Sequence, residues 1–158
     1  VDAMVPEDGK SVVDIAGPEF LQMLERHVSG DLVRPWPPDV FGVHCEEHKR
    51  WFSLRLSAFP LRAFNTVFRE HTPNESVRRT YIHCTVNRNP FIKRMAAECR
   101  LKGWDYREIE TGHSPMVSAP DQLADLLHRL SLTDAGPKRR FRGQRAKPGG
   151  SNGQSTLG

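Results

Sequence analysis

Hydrophobic and polar positions in the second half of the chain alternate between the spacing of strands and that of helices. Residues 79–85 are rich in β-branched and aromatic side chains, which is typical of a strand. Residues 104–109 alternate apolar and polar positions and predict a second strand. Residues 91–101 and 120–130 carry apolar side chains at helical spacing. The predicted order of strand, helix, strand, helix favours a parallel sheet with right-handed crossovers.

The first half of the chain is interrupted more often by turn residues. We expect residues 1–5 to be the last half of a strand and residues 66–69 to be a short strand. Helical spacing predicts helices over residues 11–15, 18–27 and 46–56. The whole pattern indicates the α/β class. A sheet of two or three strands leaves an apolar face that needs more partners, so we expect part of a larger domain.

Positive charge is concentrated at the C-terminal end of the chain. The formal net charge is +4, but residues 133–158 carry six Lys and Arg residues against one Asp, which makes this tail +5 and leaves residues 1–132 near −1. The tail has only two large apolar residues, Phe141 and Leu157. Because so little apolar surface cannot offset the entropy of ordering, we expect residues 133–158 to be a disordered basic tail. A solvated appendage is the favoured role, ahead of binding to nucleic acid or an anionic surface.

Three features of the sequence bear on the cellular compartment of the protein. It holds no apolar run long enough to cross a membrane. It opens at Val1 without a cationic or apolar signal segment, so we expect a cut N-terminus and not a processed one. The three cysteines, Cys45, Cys84 and Cys99, lack metal-type spacing, and an odd number argues against a disulfide framework. Reduced thiols favour a cytoplasmic location.

The segment from Tyr106 to Met116 carries the candidate chemistry. It predicts a strand, a turn at Gly112 and His113, and then a helix. Glycine permits a sharp turn, and a histidine placed there lies at the carboxyl edge of the sheet, where α/β enzymes hold a general base. The chain has seven histidines, and most histidines in proteins are ordinary polar residues. What distinguishes His113 from the other histidines is its surroundings in the sequence: a predicted strand, a glycine turn and a predicted helix.

Three segments taken together resemble the α/β-hydrolase superfamily: residues 2–9 (Asp-Ala-Met-Val-Pro-Glu-Asp-Gly), 79–85 and 111–120. More narrowly, they are similar to the branch that contains plant methyl-ester esterases, hydroxynitrile lyases and their bacterial relatives. The resemblance covers residues 1–131 in the order of that fold's C-terminal half: the end of strand six, a helical cap insert at about 10–65, strands seven and eight, and the last helix. It implies that residues 1–132 are a partial α/β-hydrolase domain with an incomplete sheet.

The resemblance also implies a Ser-His-acid mechanism on a small carboxylic ester or similar acyl substrate, with His113 as the general base and with no cofactor. The nucleophile of such enzymes lies in a strand-to-helix elbow of the form Gly-x-Ser-x-Gly. None of Ser29, Ser114 and Ser118 lies in such an elbow. We therefore expect the nucleophile and the oxyanion hole to lie upstream of Val1, and the chain alone to be inactive.

The identity of the acid is open. The family places a carboxylate just after strand seven, where this chain has Asn87. An asparagine can hydrogen-bond an imidazole but carries no charge to stabilise imidazolium. Asp2 is a possible substitute, because neighbouring parallel strands present their carboxyl ends to the same crevice. A plain strand-end hydrogen-bonding role for Asp2 is equally open.

The resemblance implies that Trp36, Phe41 and Met116 line a substrate pocket, although core packing is the simpler role for each. His44 and His48 flank Glu47 but do not form the His-Glu-x-x-His pattern. We interpret them as a solvated helix face and expect no metal site.

Two other functional classes compete with the hydrolase. Because the nucleophile is missing and an asparagine stands at the acid position, the chain also fits a catalytically inactive hydrolase-like module that binds a small ligand or a partner. Nucleic-acid binding through the tail ranks last. The sequence does not indicate an oligomeric state.

Overall fold

The computed structural model describes residues 1–69 and 77–133. Its helices are α1 (Val12–Ala16), α2 (Pro18–Glu25), α3 (Glu46–Ser53), α4 (Arg62–Asn65), α5 (Pro90–Leu101), α6 (Pro115–Ser118) and α7 (Pro120–Thr133). Its strands are β1 (Val28–Ser29), β2 (Leu32–Val33), β3 (Phe59–Pro60), β4 (Thr80–Cys84) and β5 (Asp105–Ile109). A 3-10 turn spans Pro38–Phe41.

The parallel pair β4 and β5 forms the centre of the fold. Its register runs from Thr80 opposite Asp105 to Cys84 opposite Ile109, and α5 makes the crossover between the two strands. Parallel strands need such a crossover. The predicted strand, helix, strand, helix order is confirmed for this half of the chain.

Side chains of β4 alternate between two apolar clusters on opposite faces of the sheet. Tyr81 packs on one face in a cluster with Ile15, Met95, Ala96 and Cys99. On the other face, Ile82 and Cys84 pack with Ile109 and Leu123. Because successive side chains of a strand point to opposite faces, the pair is covered by α1 and α5 on one side and α7 on the other. This arrangement is of the α/β kind, with an incomplete sheet.

The two strands predicted outside this half are wrong. Residues 1–5 form no ladder with β4, although the N–H of Asp2 donates to the carbonyl of Ile82 at 2.7 Å. The positive φ of Asp2, 44°, interrupts the extended backbone there. Residues 66–69 are also not a strand. Phe68 makes only two backbone bonds, with Gly9 and Lys10, at 2.9 Å each.

The residues assigned to the cap insert fold as α1 to α4 with a small antiparallel sheet. That sheet has the order β1-β2-β3, with Val33 opposite both Val28 and Phe59. Its strands have two residues each, too few for a hydrophobic period to register in the sequence. The helix predicted over residues 11–15 is present as α1, and those predicted over 18–27 and 46–56 are present but shorter, ending at Glu25 and Ser53.

The predicted disordered tail lies outside the described residues from position 134 onward. Within the described part of the chain, no helix combines the length and the apolar character needed to cross a membrane.

Candidate active site at the carboxyl edge of the sheet

His113 follows β5 in a loop that stays paired with the chain leaving β4. The N–H of Val86 donates to the carbonyl of Thr111 at 3.2 Å, beyond the last residue pair of the ladder. On the other side, the N–H of Ser114 donates to the carbonyl of Phe41 at 3.0 Å. The loop is thus held from both sides, and the His113 side chain is 33% exposed.

The backbones of Gly42 and Gly112 are in direct contact beside His113. A Cβ added to Gly112 would lie 2.7 Å from the Cα of Gly42, and one added to Gly42 would lie 2.6 Å from the Cα of Gly112. Gly42 also has a φ of +71°, in the region that favours glycine. The 3-10 turn of the insert can therefore approach the His113 loop only because neither glycine has a side chain.

The carboxylate of Asp2 is fully buried and has four hydrogen-bonding partners. Its Oδ1 accepts from the backbone N–H of Cys84 at 3.0 Å and lies 3.1 Å from Nδ1 of His83. Its Oδ2 accepts from Nδ2 of Asn87 at 2.6 Å and lies 3.0 Å from Nδ1 of His113. Burial raises the pKa of the Asp2 carboxyl, but the hydrogen bonds, with that of His113 the strongest, outweigh burial and leave the pKa below its ordinary value.

The backbone of Asp2 turns this carboxylate toward the end of β4. Its φ of 44° lies in the left-handed region, which is uncommon for residues other than glycine but tolerated by aspartate. Such strain persists where the surroundings over-determine the conformation. Here the bond from the Asp2 N–H to Ile82 and the four contacts of the carboxylate supply that constraint.

Asn87 donates to Asp2 and not to His113. Its Oδ1 accepts from the backbone N–H of Asn89 at 3.0 Å, so the amide nitrogen faces Asp2. That nitrogen also lies 3.3 Å from Nδ1 of His113. An amide NH2 only donates, so an Nδ1 that donates to Asp2 cannot also accept from Asn87. The ionised carboxylate is the stronger partner, and we therefore assign the Nδ1 hydrogen of His113 to the bond with Asp2.

The structure thus brings together three of the residues singled out in the sequence: His113, Asp2 and Asn87. It adds His83, for which the sequence suggested no partner. His83 is 9% exposed and belongs to an otherwise apolar or aromatic stretch of β4. A histidine at a buried position of a strand is a signal that sequence reasoning could have used, because buried polar side chains require partners.

The three residues expected to line a pocket have different surroundings. Phe41 stacks on His113, with ring centroids 6.3 Å apart and planes 20° from parallel. Trp36 lies among Phe20, His27 and Phe64 in an aromatic cluster of the insert. Met116 is 55% exposed on α6. None of the three lines the cavity described next.

A cavity of about 670 Å³ opens beside His113 and Asn87. Its walls come from α2 and the 3-10 turn on one side and from the chain after β4 and the start of α5 on the other. The apolar part of the lining includes Phe20, Met23, Val40, Val86 and Phe91. Polar and charged residues, among them Glu19, Arg88 and Arg94, share the lining with these apolar side chains, and the volume is that of a small-molecule site.

Other candidate chemistry is not assembled in the described part of the chain. No group of three His, Cys, Asp or Glu side chains there is arranged to hold a metal ion. His44 instead pairs with Asp39 at 3.1 Å on an exposed surface. Within residues 1–69 and 77–133, no hydroxyl or thiol hydrogen-bonds to His113, whose ring contacts Asp2, Asn87 and Phe41.

Comparison with models of protein families, with curated proteins and with solved structures found no match to this chain. The site is therefore interpreted from its own geometry.

Proposed function

We propose that this chain is the C-terminal part of an α/β-hydrolase that cleaves a small carboxylic ester or a similar acyl compound. The observation that carries the proposal is the 3.0 Å contact between Nδ1 of His113 and the buried carboxylate of Asp2, beside a cavity of small-molecule size. A buried, ionised carboxylate that orients an imidazole is the arrangement by which Ser-His-acid enzymes activate a hydroxyl.

The chemistry follows from the position of the hydrogen on the imidazole. With Nδ1–H donating to Asp2, Nε2 of the neutral ring is free to accept a proton. His113 takes the proton of a serine hydroxyl as the serine oxygen attacks the ester carbon, and Asp2 stabilises the imidazolium that forms. His113 then gives that proton to the departing alkoxide, and water releases the acyl group by the same two steps.

In this proposal Asp2 is the orienting acid and Asn87 its support. The Asn87 amide donates to Oδ2 of Asp2 and lowers the pKa of that carboxyl. The residue at the family's acid position therefore helps to keep another carboxylate ionised. None of the three expected pocket residues is proposed to line the cavity: Trp36 lies in an aromatic cluster, Phe41 lies beside the ring of His113, and Met116 is exposed.

The nucleophile is proposed to lie upstream of Val1. One stretch within the chain, Gly149-Gly-Ser151-Asn-Gly153, has the letters Gly-x-Ser-x-Gly, and it lies outside the described residues. In the hydrolase elbow this pattern follows a buried strand. Residues 138–148 are rich in Lys and Arg and carry no such apolar run. We therefore favour an upstream serine over Ser151.

The test is hydrolysis of a p-nitrophenyl ester by the chain alone and by the protein with its continuous upstream reading frame. We expect activity only in the extended protein, loss of that activity in His113→Ala, and a fall in kcat of about 10⁴-fold in Asp2→Asn. Ser151→Ala should leave it unchanged. His128→Ala, which removes an exposed histidine from α7, is the matched control. An initial burst from the chain alone that Ser151→Ala abolishes would place the nucleophile in the tail.

One observation favours a second candidate, a small-ligand-binding module without catalysis. The cavity is present although, among the described residues, no nucleophilic side chain reaches His113. Calorimetric titration with aryl and alkyl carboxylic acids tests this function. Equal affinities in the wild-type chain and in His113→Ala, with no ester hydrolysis in the extended protein, would favour binding over catalysis.

A further inference from the structure

The proposed mechanism assigns no role to His83, a buried ionisable side chain at the site. His83 lies on β4, one residue before the cysteine whose N–H donates to Asp2, and its Nδ1 is 3.1 Å from Oδ1 of Asp2. Its ring centroid lies 6.4 Å from that of Tyr106. This is a second histidine on the acid that already binds His113.

The two histidines contact different oxygens of the same carboxylate. Oδ1 of Asp2 is bound from β4, by His83 and by the backbone N–H of Cys84. Oδ2 is left for His113 and Asn87. An ionised carboxylate has only acceptor sites, so the ring of His83 must donate from Nδ1.

We propose that His83 is a positioning residue, whose Nδ1–H holds Oδ1 of Asp2 so that Oδ2 faces Nδ1 of His113. The proposal rests on the function proposed above. A carboxylate can rotate about its Cβ–Cγ bond. Apart from His113 itself, the N–H of Cys84 on Oδ1 and the amide of Asn87 on Oδ2 oppose this rotation, and His83 adds a second donor on Oδ1. The added donor narrows the rotation, and sites of this kind need their supporting groups held to a fraction of an ångström.

The first measurement uses the chain alone and requires no activity. In ¹⁵N-histidine-labelled protein, nitrogen chemical shifts report which ring nitrogen carries the hydrogen. We expect both His83 and His113 to carry it on Nδ1 at neutral pH. A His83 ring with an unprotonated Nδ1 would overturn the proposal without any variant.

The second measurement compares two variants. His83→Phe keeps the ring volume and loses the donor, whereas His83→Asn keeps a donor near the position of Nδ1. We expect the Nδ1–H signal of His113 to shift and to exchange with water at least about tenfold faster in His83→Phe, and to stay close to wild type in His83→Asn. In the extended protein, His83→Phe should lower kcat by about 10- to 100-fold with little change in KM.

The outcomes separate a positioning role of His83 from simple core packing. An unchanged His113 signal in folded His83→Phe, or a His83→Asn protein that behaves like His83→Phe, would show that His83 only fills the core. If His83→Phe does not fold, the nitrogen shifts of wild type and His83→Asn still decide the question. Absence of ester hydrolysis in the extended wild-type protein would contradict the proposed function. The spectra of the chain alone test the role of His83 separately.

Discussion

Asn87 stands where the resemblance places a carboxylate, and in this chain its amide donates to Oδ2 of Asp2. The pairing depends on one partner being an ionised acceptor and the other a donor. An amide and a carboxylate have nearly the same shape but opposite hydrogen-bonding capacity. The sequence alone can locate both residues, but their pairing depends on how closely the folded backbone brings them together.

We predict that Asn87→Asp destabilises the chain by about 1–3 kcal/mol at pH 7. The new carboxylate would lie at the 2.6 Å separation now occupied by a hydrogen bond, and two carboxylates cannot both remain ionised at that distance. Urea unfolding followed by circular dichroism measures the loss. The matched control is Asn89→Asp, because the Asn89 side chain accepts from the N–H of Phe91 at the start of α5 and an aspartate does the same. Equal stabilities of the two variants would contradict the geometry described for Asn87.

His113 could be named from the sequence because it follows a predicted strand and a glycine, and Asp2 because a neighbouring parallel strand is expected to present it to the same crevice. His83 could not be assigned a partner, because no local pattern shows which side chain faces it. Its contact with Asp2 joins residues 81 positions apart. Phe41 is a pocket candidate in the sequence, and the structure adds that it stacks on the ring of His113.

At the scale of elements, the 3-10 turn and the loop after β5 meet through Gly42 and Gly112. This contact joins the insert to the candidate site through backbone atoms alone. The pattern of hydrophobic side chains in the sequence therefore cannot predict it. The same limit explains why the sequence does not predict the three two-residue strands of the insert. The longer elements, α5, α7, β4 and β5, have enough residues to display a period.

We predict that Gly42→Ala destabilises the chain more than Gly30→Ala does. Both glycines have positive φ, +71° and +61°, so both variants incur the backbone strain of about 1–2 kcal/mol. Only at Gly42 does the new Cβ meet backbone atoms, because nothing lies within 4 Å of a Cβ at Gly30. The difference in unfolding free energy between the variants isolates the contact. We also expect the His113 resonances to shift in Gly42→Ala and not in Gly30→Ala. Equal shifts in the two variants would contradict the contact between Gly42 and Gly112.

At the scale of the whole molecule, the fold is an incomplete parallel sheet between two apolar clusters. One buried carboxylate, that of Asp2, connects the residues at the carboxyl edge of this sheet. The Asp2 side chain joins residues 83, 84, 87 and 113 to the first residues of the chain. Its ionisation is therefore linked to the stability of the folded state.

We predict that Asp2 makes the folded chain acid-sensitive. Because the folded state holds the pKa of Asp2 below its ordinary value, this group stabilises the fold above about pH 4, where it is ionised in both states. That contribution is lost as the pH falls through the lowered pKa. Asp2→Asn should thus have a lower free energy of unfolding than wild type at pH 7, and this difference should become smaller below about pH 4. Urea unfolding at pH 7, 5, 4 and 3 measures the gap, and a constant gap would show that the charge of Asp2 does not contribute.

The bond between Asp2 and His113 spans 111 positions of the sequence. During synthesis the acid leaves the ribosome long before the histidine, so this pair cannot exist until nearly all of the described chain has been made and has folded. A nascent or partly unfolded molecule therefore carries an imidazole without its carboxylate. The contact between Asp2 and His113 forms only with the fold, so the Nδ1–H resonance of His113 reports which molecules are correctly folded.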